Sequence, residues 1–124
     1  VLSAAECKLM RDTNGQIGIL ALRGHFSYAS ARELVQRIGP AKAGYQAMVF
    51  DFTDAAHVDT SAALAIEELI ETAQAETRGC LIAGLTGSAE ATLRALGVLD
   101  AIPLDRLVGT RLEAIERAAK LIGD

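Results

Sequence analysis

Residues 48–64 read MVFDFTDAAHVDTSAAL, and the change of pattern inside this stretch decides the fold. Met48–Phe52 is an apolar run broken only by Asp51, short enough for a strand buried on both faces. From Ser61 to Thr77 the period changes: Leu64, Ile66, Leu69, Ile70 and Ala73 mark a helix about 25 Å long. A strand, a polar turn and a long helix make most of a βαβ unit, and Cys80–Gly84 (CLIAG) supplies its second strand.

Toward the C-terminus, Leu85-Thr86-Gly87-Ser88 leads into a helix carrying Leu93 and Leu96, which Gly97 closes as its C′ residue. Ile102-Pro103 breaks the chain and a short strand near Val108 follows. Thr110 with Glu113 forms a capping box for a terminal helix whose apolar stripe is Leu112, Ile115, Ala119 and Ile122. Toward the N-terminus, Ile17–Leu22 (IGILAL) is a strand. The run from Cys7 to Met10 is expected to pair with it as an antiparallel hairpin across Asp12-Thr13-Asn14-Gly15. Ala31, Leu34, Val35 and Ile38 recur at helical spacing behind a Ser30/Glu33 capping box, and Gly39-Pro40 stops that helix. The predicted order is β-β-α-β-α-β-α-(short β)-α. It describes an α/β domain with a mainly parallel sheet of four to five strands, an antiparallel N-terminal strand and about four helices. Residues 1–124 are read as one domain, and the start at Val1 instead of Met leads us to expect a piece of a longer chain.

Composition narrows the class. With 51% hydrophobic and 23% charged residues over 124 positions, the chain is able to build a core without disulfides or metal. Twelve basic against sixteen acidic residues give a net charge of −4. The signs alternate along the chain, and nucleic-acid binding, which needs clustered Lys and Arg, is not expected. The uncharged stretches Thr13–Leu22 and Cys80–Ala89 fall short of the roughly twenty apolar residues of a membrane helix. Cys7 and Cys80 lack CxxC or Cys/His spacing, so they are read as small buried hydrophobes, and no metal is expected.

In open α/β sheets function collects at the carboxyl ends of the strands. The loop after Asp51 is the richest there, with Asp54, His57, Asp59, Thr60 and Ser61 leading into the longest helix. Ser61 or Thr60 is placed as the N-cap. The same position suits phosphorylation, since a phosphate would lie against free amides and the helix dipole, with Asp59 opposing it. No catalytic residue is assigned. Neither VDTSAAL nor LTGSAEA is the GxSxG elbow of a hydrolase, and Gly84 and Gly87 make only a GxxGS turn, not a dinucleotide fingerprint. His25 and His57 are each a lone histidine on a loop, and Asp51 alone is not the acidic cluster of a receiver domain.

The run from Met48 to Asp100 resembles the core of a STAS domain, the module shared by anti-sigma factor antagonists and sulfate-transporter tails. The family pattern is a strand ending in Asp, then Asp-Ser/Thr-Ser-Gly/Ala opening a long helix, a strand ending near Gly-Leu, and a helix ending in Leu-x-Leu/Thr-Gly. Here these are Asp51, Asp59-Thr60-Ser61-Ala62, Gly84-Leu85 and Leu93 to Gly97. The resemblance implies a partner-binding regulatory domain without a catalytic centre. In the antagonist branch Ser61 matches a serine that a partner kinase phosphorylates. That branch commonly has glycine at Ala62 and serine at Thr60. The opening GHFSYASAREL, with Phe26 after the loop glycine, and the tail LGVLDAIPLDRLVGTRLEAIERAAK look closer to the C-terminal domain of bacterial SulP-type anion transporters. The expected partner is therefore the transporter's own membrane domain, at the cytoplasmic face of the inner membrane. The alternative is a free-standing antagonist that binds an anti-sigma factor kinase. Some STAS domains bind nucleotides, and amides around Gly84, Gly87, Ser88 and Ser61 are placed to contact a partner or a phosphate. No P-loop or adenine pocket is legible, and no cofactor is expected beyond weak nucleotide binding.

Overall fold

A computed structural model of the chain describes residues 2–27, 29–30, 33 and 45–123. Its centre is β3 (Ala47–Asp51), the strand quoted first, whose five residues are all buried. It lies between β1 (Ile17–Ala21) and β5 (Cys80–Ala83), and β6 (Leu107–Val108) adds to the far side of β5. All pairings in this four-stranded sheet are parallel. Every strand therefore ends at the same edge, and both faces must be covered.

The pleat divides the core into two sets. Met48, Phe50, Cys80 and Ile82 face α2 (Thr60–Glu76) and α3 (Gly87–Ala95). Ala47, Val49, Leu81 and Ala83 face α4 (Arg111–Gly123) and the apolar residues Leu2, Leu9 and Met10 around α1 (Ala4–Asp12). Alanine keeps the layers close: Ala62, Ala63, Ala65 and Ala73 of α2 and Ala114 and Ala118 of α4 are all buried. Leu64, expected on the apolar stripe of α2, is instead 54% exposed. With Ala62, Ala63, Ala65 and Ile66 turned inward, 100° per residue carries position 64 to the outer face.

The α/β class, the parallel sheet and the terminal helix agree with the reading from sequence, but the antiparallel opening does not. Cys7–Met10 belongs to α1, because Ser3 and Glu6 form a full capping box: Glu6 N donates to Ser3 Oγ at 3.2 Å and Ser3 N to Glu6 Oε1 at 2.8 Å. The Asn14-Gly15 turn, with both residues at positive φ, joins a helix to β1 instead of two strands. The expected helix with Ala31, Leu34, Val35 and Ile38, and its Gly39-Pro40 stop, lie outside the described residues. Two short strands were not expected. β2 (Gly24–Phe26) and β4 (Ala55–Val58) pair in parallel as a ribbon beyond the carboxyl ends of β1 and β3. His25 and His57 are register partners in this ribbon, so neither lies on a loop.

Candidate functional site

Asp51 closes β3 and organises the carboxyl edge. Its carboxylate is buried and accepts two hydrogen bonds from Thr53, at 3.0 Å from the amide and 2.6 Å from the hydroxyl. That turn sends the chain into β4, where Val58 is fully buried and anchors the entry to α2. The cap of α2 is Asp59, not Ser61 or Thr60. Asp59 keeps an extended backbone, and its Oδ1 accepts from Ala62 N at 2.7 Å. Because β4 runs through Val58, the helix begins at Thr60 and only Asp59 has the cap conformation. Thr60 and Ser61 are thereby left on the first turn, both exposed.

The neighbouring turn after β5 closes the same edge. Gly84 sits at φ 67°, and a Cβ there would run into the Thr53 hydroxyl and lie 3.0 Å from Thr53 Cα. Only glycine lets the two turns approach this closely. Ser88, in the first turn of α3, donates from Oγ to Ala56 O at 3.2 Å and ties α3 to β4. Gly87 (φ 63°) and Ser88 are exposed, as are Asp54, His57 and Leu64. The expected residues Asp54, His57, Asp59, Thr60, Ser61, Gly84, Gly87 and Ser88 thus gather on one edge, on β4, its flanking turns and the starts of α2 and α3. Their surface is polar and acidic, and among the described residues Leu64 is an exposed large apolar side chain beside them.

Two residues of this edge gave no sign in the sequence reading. Arg111, the first residue of α4, donates from Nε to Glu6 Oε2 at 2.8 Å and from Nη2 to Glu6 Oε1 at 3.1 Å. Its Nη1 also lies 3.6 Å from Asp51 Oδ2. Glu6 and Arg111 are 105 residues apart, so no local pattern links them, although the Ser3-x-x-Glu6 box is itself a readable signal. The Glu6 side chain is 5% exposed. The guanidinium hydrogen-bonded to it, more than offsetting burial, holds its carboxyl down at about 2. Glu6, Asp51, Thr53, Asp54 and Thr110 line a concavity of about 420 Å³ around Arg111. Thr110 Oγ1 accepts from Glu113 N at 3.1 Å as expected, while the Glu113 carboxylate turns to Arg117 at 3.2 Å. Among the described residues no group of three His, Cys, Asp or Glu is arranged to hold a metal.

A parallel sheet with ordered β1-β3-β5-β6 strands, helices on both faces and a capped helix opening beside Asp59-Thr60-Ser61 defines a class of small α/β domains. The STAS domain model matches residues 8–111, and the chain belongs to that family. It is 29% identical over 123 residues to the bicarbonate transporter BicA of Synechocystis sp., a match covering 99% of this chain and 22% of that relative. The chain thus spans about a fifth of the curated transporter's length. Its fold is similar to the SulP transporter STAS domain of Vibrio cholerae, with TM-score 0.78, 16% identity and 98% of each chain covered. It is also similar to part of the murine solute carrier 26 family member A9 anion transporter, with TM-score 0.68 and 14% identity over 85% of this chain and 18% of that one. In such relatives the STAS domain is one part of a membrane transporter. Among the described residues no helix is long and apolar enough to cross a membrane.

Proposed function

We propose that this chain is the cytoplasmic STAS domain of a SulP-type anion transporter, a non-catalytic module that regulates transport or assembly through protein contacts. The observation that carries this reading is the match to BicA across 99% of the chain. The docking surface is the carboxyl edge: Asp54, His57, Thr60, Ser61, Gly87 and Ser88 around the exposed Leu64. Its partner is the membrane domain of the same protein. Catalysis is not invoked, because the well-placed groups already hold the fold: Asp51 grips Thr53, Asp59 caps α2 and Ser88 ties α3 to β4.

Ser61 is the switch position on this surface. Its side chain is exposed at the second residue of α2, and a phosphate there would stand beside the Asp59 carboxylate that already occupies the helix N-terminus. Two neighbouring negative groups would repel an acidic partner surface and recruit a cationic one. The kinase-regulated antagonist reading is not favoured, since the curated match is a transporter.

Expression of the full parent reading frame tests the assignment. The expected result is a protein that stays in carbonate-washed membranes, with apolar spans of about twenty residues outside this domain. A protein released by the wash, from a reading frame with no such span, would overturn it.

A further inference from the structure

At the opposite end of the sheet, where β5 and β6 begin, Arg106, Arg117 and Lys120 converge on a cavity of about 260 Å³. Leu81 and Leu121 form its apolar wall, and Asp105 is the one acidic residue lining it. Arg106 ends the short 3-10 turn Leu104–Arg106, while Arg117 and Lys120 lie one turn apart on α4. Arg117 is oriented from both sides, donating to the Asp105 carbonyl and to Glu113 Oε2. Arg106 lies over the backbone of Gly79, where any Cβ would occupy the place of its guanidinium. Among the described residues no carboxylate pairs with Arg106 or Lys120. Arg78 adds a further positive charge close by, donating to the carbonyls of Leu121 and Ile122 at 3.1 and 3.4 Å.

Lys120, in the last turn of α4, and Arg78, bonded to that helix's last carbonyls from the link before β5, complement the helix dipole. The dipole does not account for Arg106, which reaches the cavity from another element. Like charges gathered on one wall repel, and an anion between them would offset that repulsion. Guanidinium groups fixed in this way suit the bidentate recognition of phosphate oxygens. The volume lies just below the range of roughly 300–1,000 Å³ of small-molecule sites, which favours a headgroup-sized oxyanion over a nucleotide.

We propose that the cavity bounded by Arg106, Arg117 and Lys120 binds a phosphate-type oxyanion, either free or as the headgroup of an anionic lipid. The site is separate from the carboxyl edge and does not depend on its role. The test is titration of the ¹⁵N-labelled chain with inorganic phosphate and, in a second arm, with phosphatidylglycerol vesicles against phosphatidylcholine vesicles. Saturable changes at the amides of Gly79, Leu81, Arg106 and Lys120 are expected. An Arg106→Gln/Lys120→Gln double variant weakens binding by about tenfold or more, whereas Arg94→Gln, a cation of α3 paired with Glu90, leaves it unchanged. Should the double variant not fold, Lys120→Gln alone, at an exposed position, still weakens binding. Response to phosphate identifies a free anion; response to phosphatidylglycerol alone, lost in the variant, identifies a lipid headgroup. The proposal is overturned if neither probe gives a saturable change at these amides, or if the variants titrate like the unsubstituted chain.

Discussion

Asp59 and Ser61 stand two residues apart at the start of α2, and the structure separates their roles. Asp59 holds the free amide of Ala62, while Ser61 is exposed on the outer face. Asp59→Ala is therefore expected to cost about 1 kcal/mol of stability, and Ser61→Ala less than about 0.5 kcal/mol. Urea unfolding of both variants checks this, and the reverse order would return the cap to the serine. Gly84→Ala combines a positive φ with collision against Thr53, at a cost on the order of 1–3 kcal/mol. Since Thr53 holds Asp51, that substitution also disturbs the turn leading into β4, visible as shifted amides at Thr53 and Asp54. The sequence showed that a cap was needed here but not which residue supplied it, because the end of β4 that sets the first residue of α2 carries no pattern of its own.

At the scale of elements, the legible ones are those with long or strongly apolar signals. β1, β3, β5, α2 and α4 were readable because each buries a run or stripe that only one period satisfies. GHF and AAHV were not, since strands of three and four residues are too short to show an alternation. The N-terminal helix was misread for a different reason: a short apolar run at Cys7–Met10 suits either state, and the capping box that decides it lies upstream at Ser3 and Glu6. Beside the apolar packing of Leu2, Leu9 and Met10, the Glu6–Arg111 pair holds α1 in place and gives this element a pH dependence. The Glu6 carboxyl is held at about 2 against 4.5 in the unfolded chain. The contribution of the ionised Glu6 carboxylate, held first by Arg111 and also by Ser3, is thus fully present above about pH 4.5 and is lost as pH falls toward 2, a difference on the order of 3 kcal/mol. Unfolding free energies measured across this window should converge for the native chain and Glu6→Gln as pH drops; a constant gap would contradict the pairing. Arg111→Ala leaves Glu6 and Asp51 buried without their cation and is expected to cost roughly 3–5 kcal/mol.

For the whole molecule, the parallel sheet places every strand end, the ribbon of β2 and β4 and the starts of α2, α3 and α4 on one edge. Asp54, His57, Asp59, Thr60 and Ser61 are already close in the chain, and the topology brings Gly84, Gly87 and Ser88 to the same edge from the turn after β5. The link from Glu6 to Arg111 that braces this edge spans nearly the full length and had no local signature. The opposite edge carries Arg106 and Lys120, which no carboxylate pairs with among the described residues, so the two ends of the sheet differ in charge and present different surfaces. We propose that the carboxyl edge docks on the membrane part of an anion transporter and governs its activity. The most direct measurement is anion uptake by cells expressing the parent protein with Ser61→Asp, at matched membrane levels and with Arg94→Gln as a control on a remote face. The account predicts uptake altered severalfold by Ser61→Asp and unchanged by Arg94→Gln. Equal uptake by Ser61→Asp and the unsubstituted protein would contradict it.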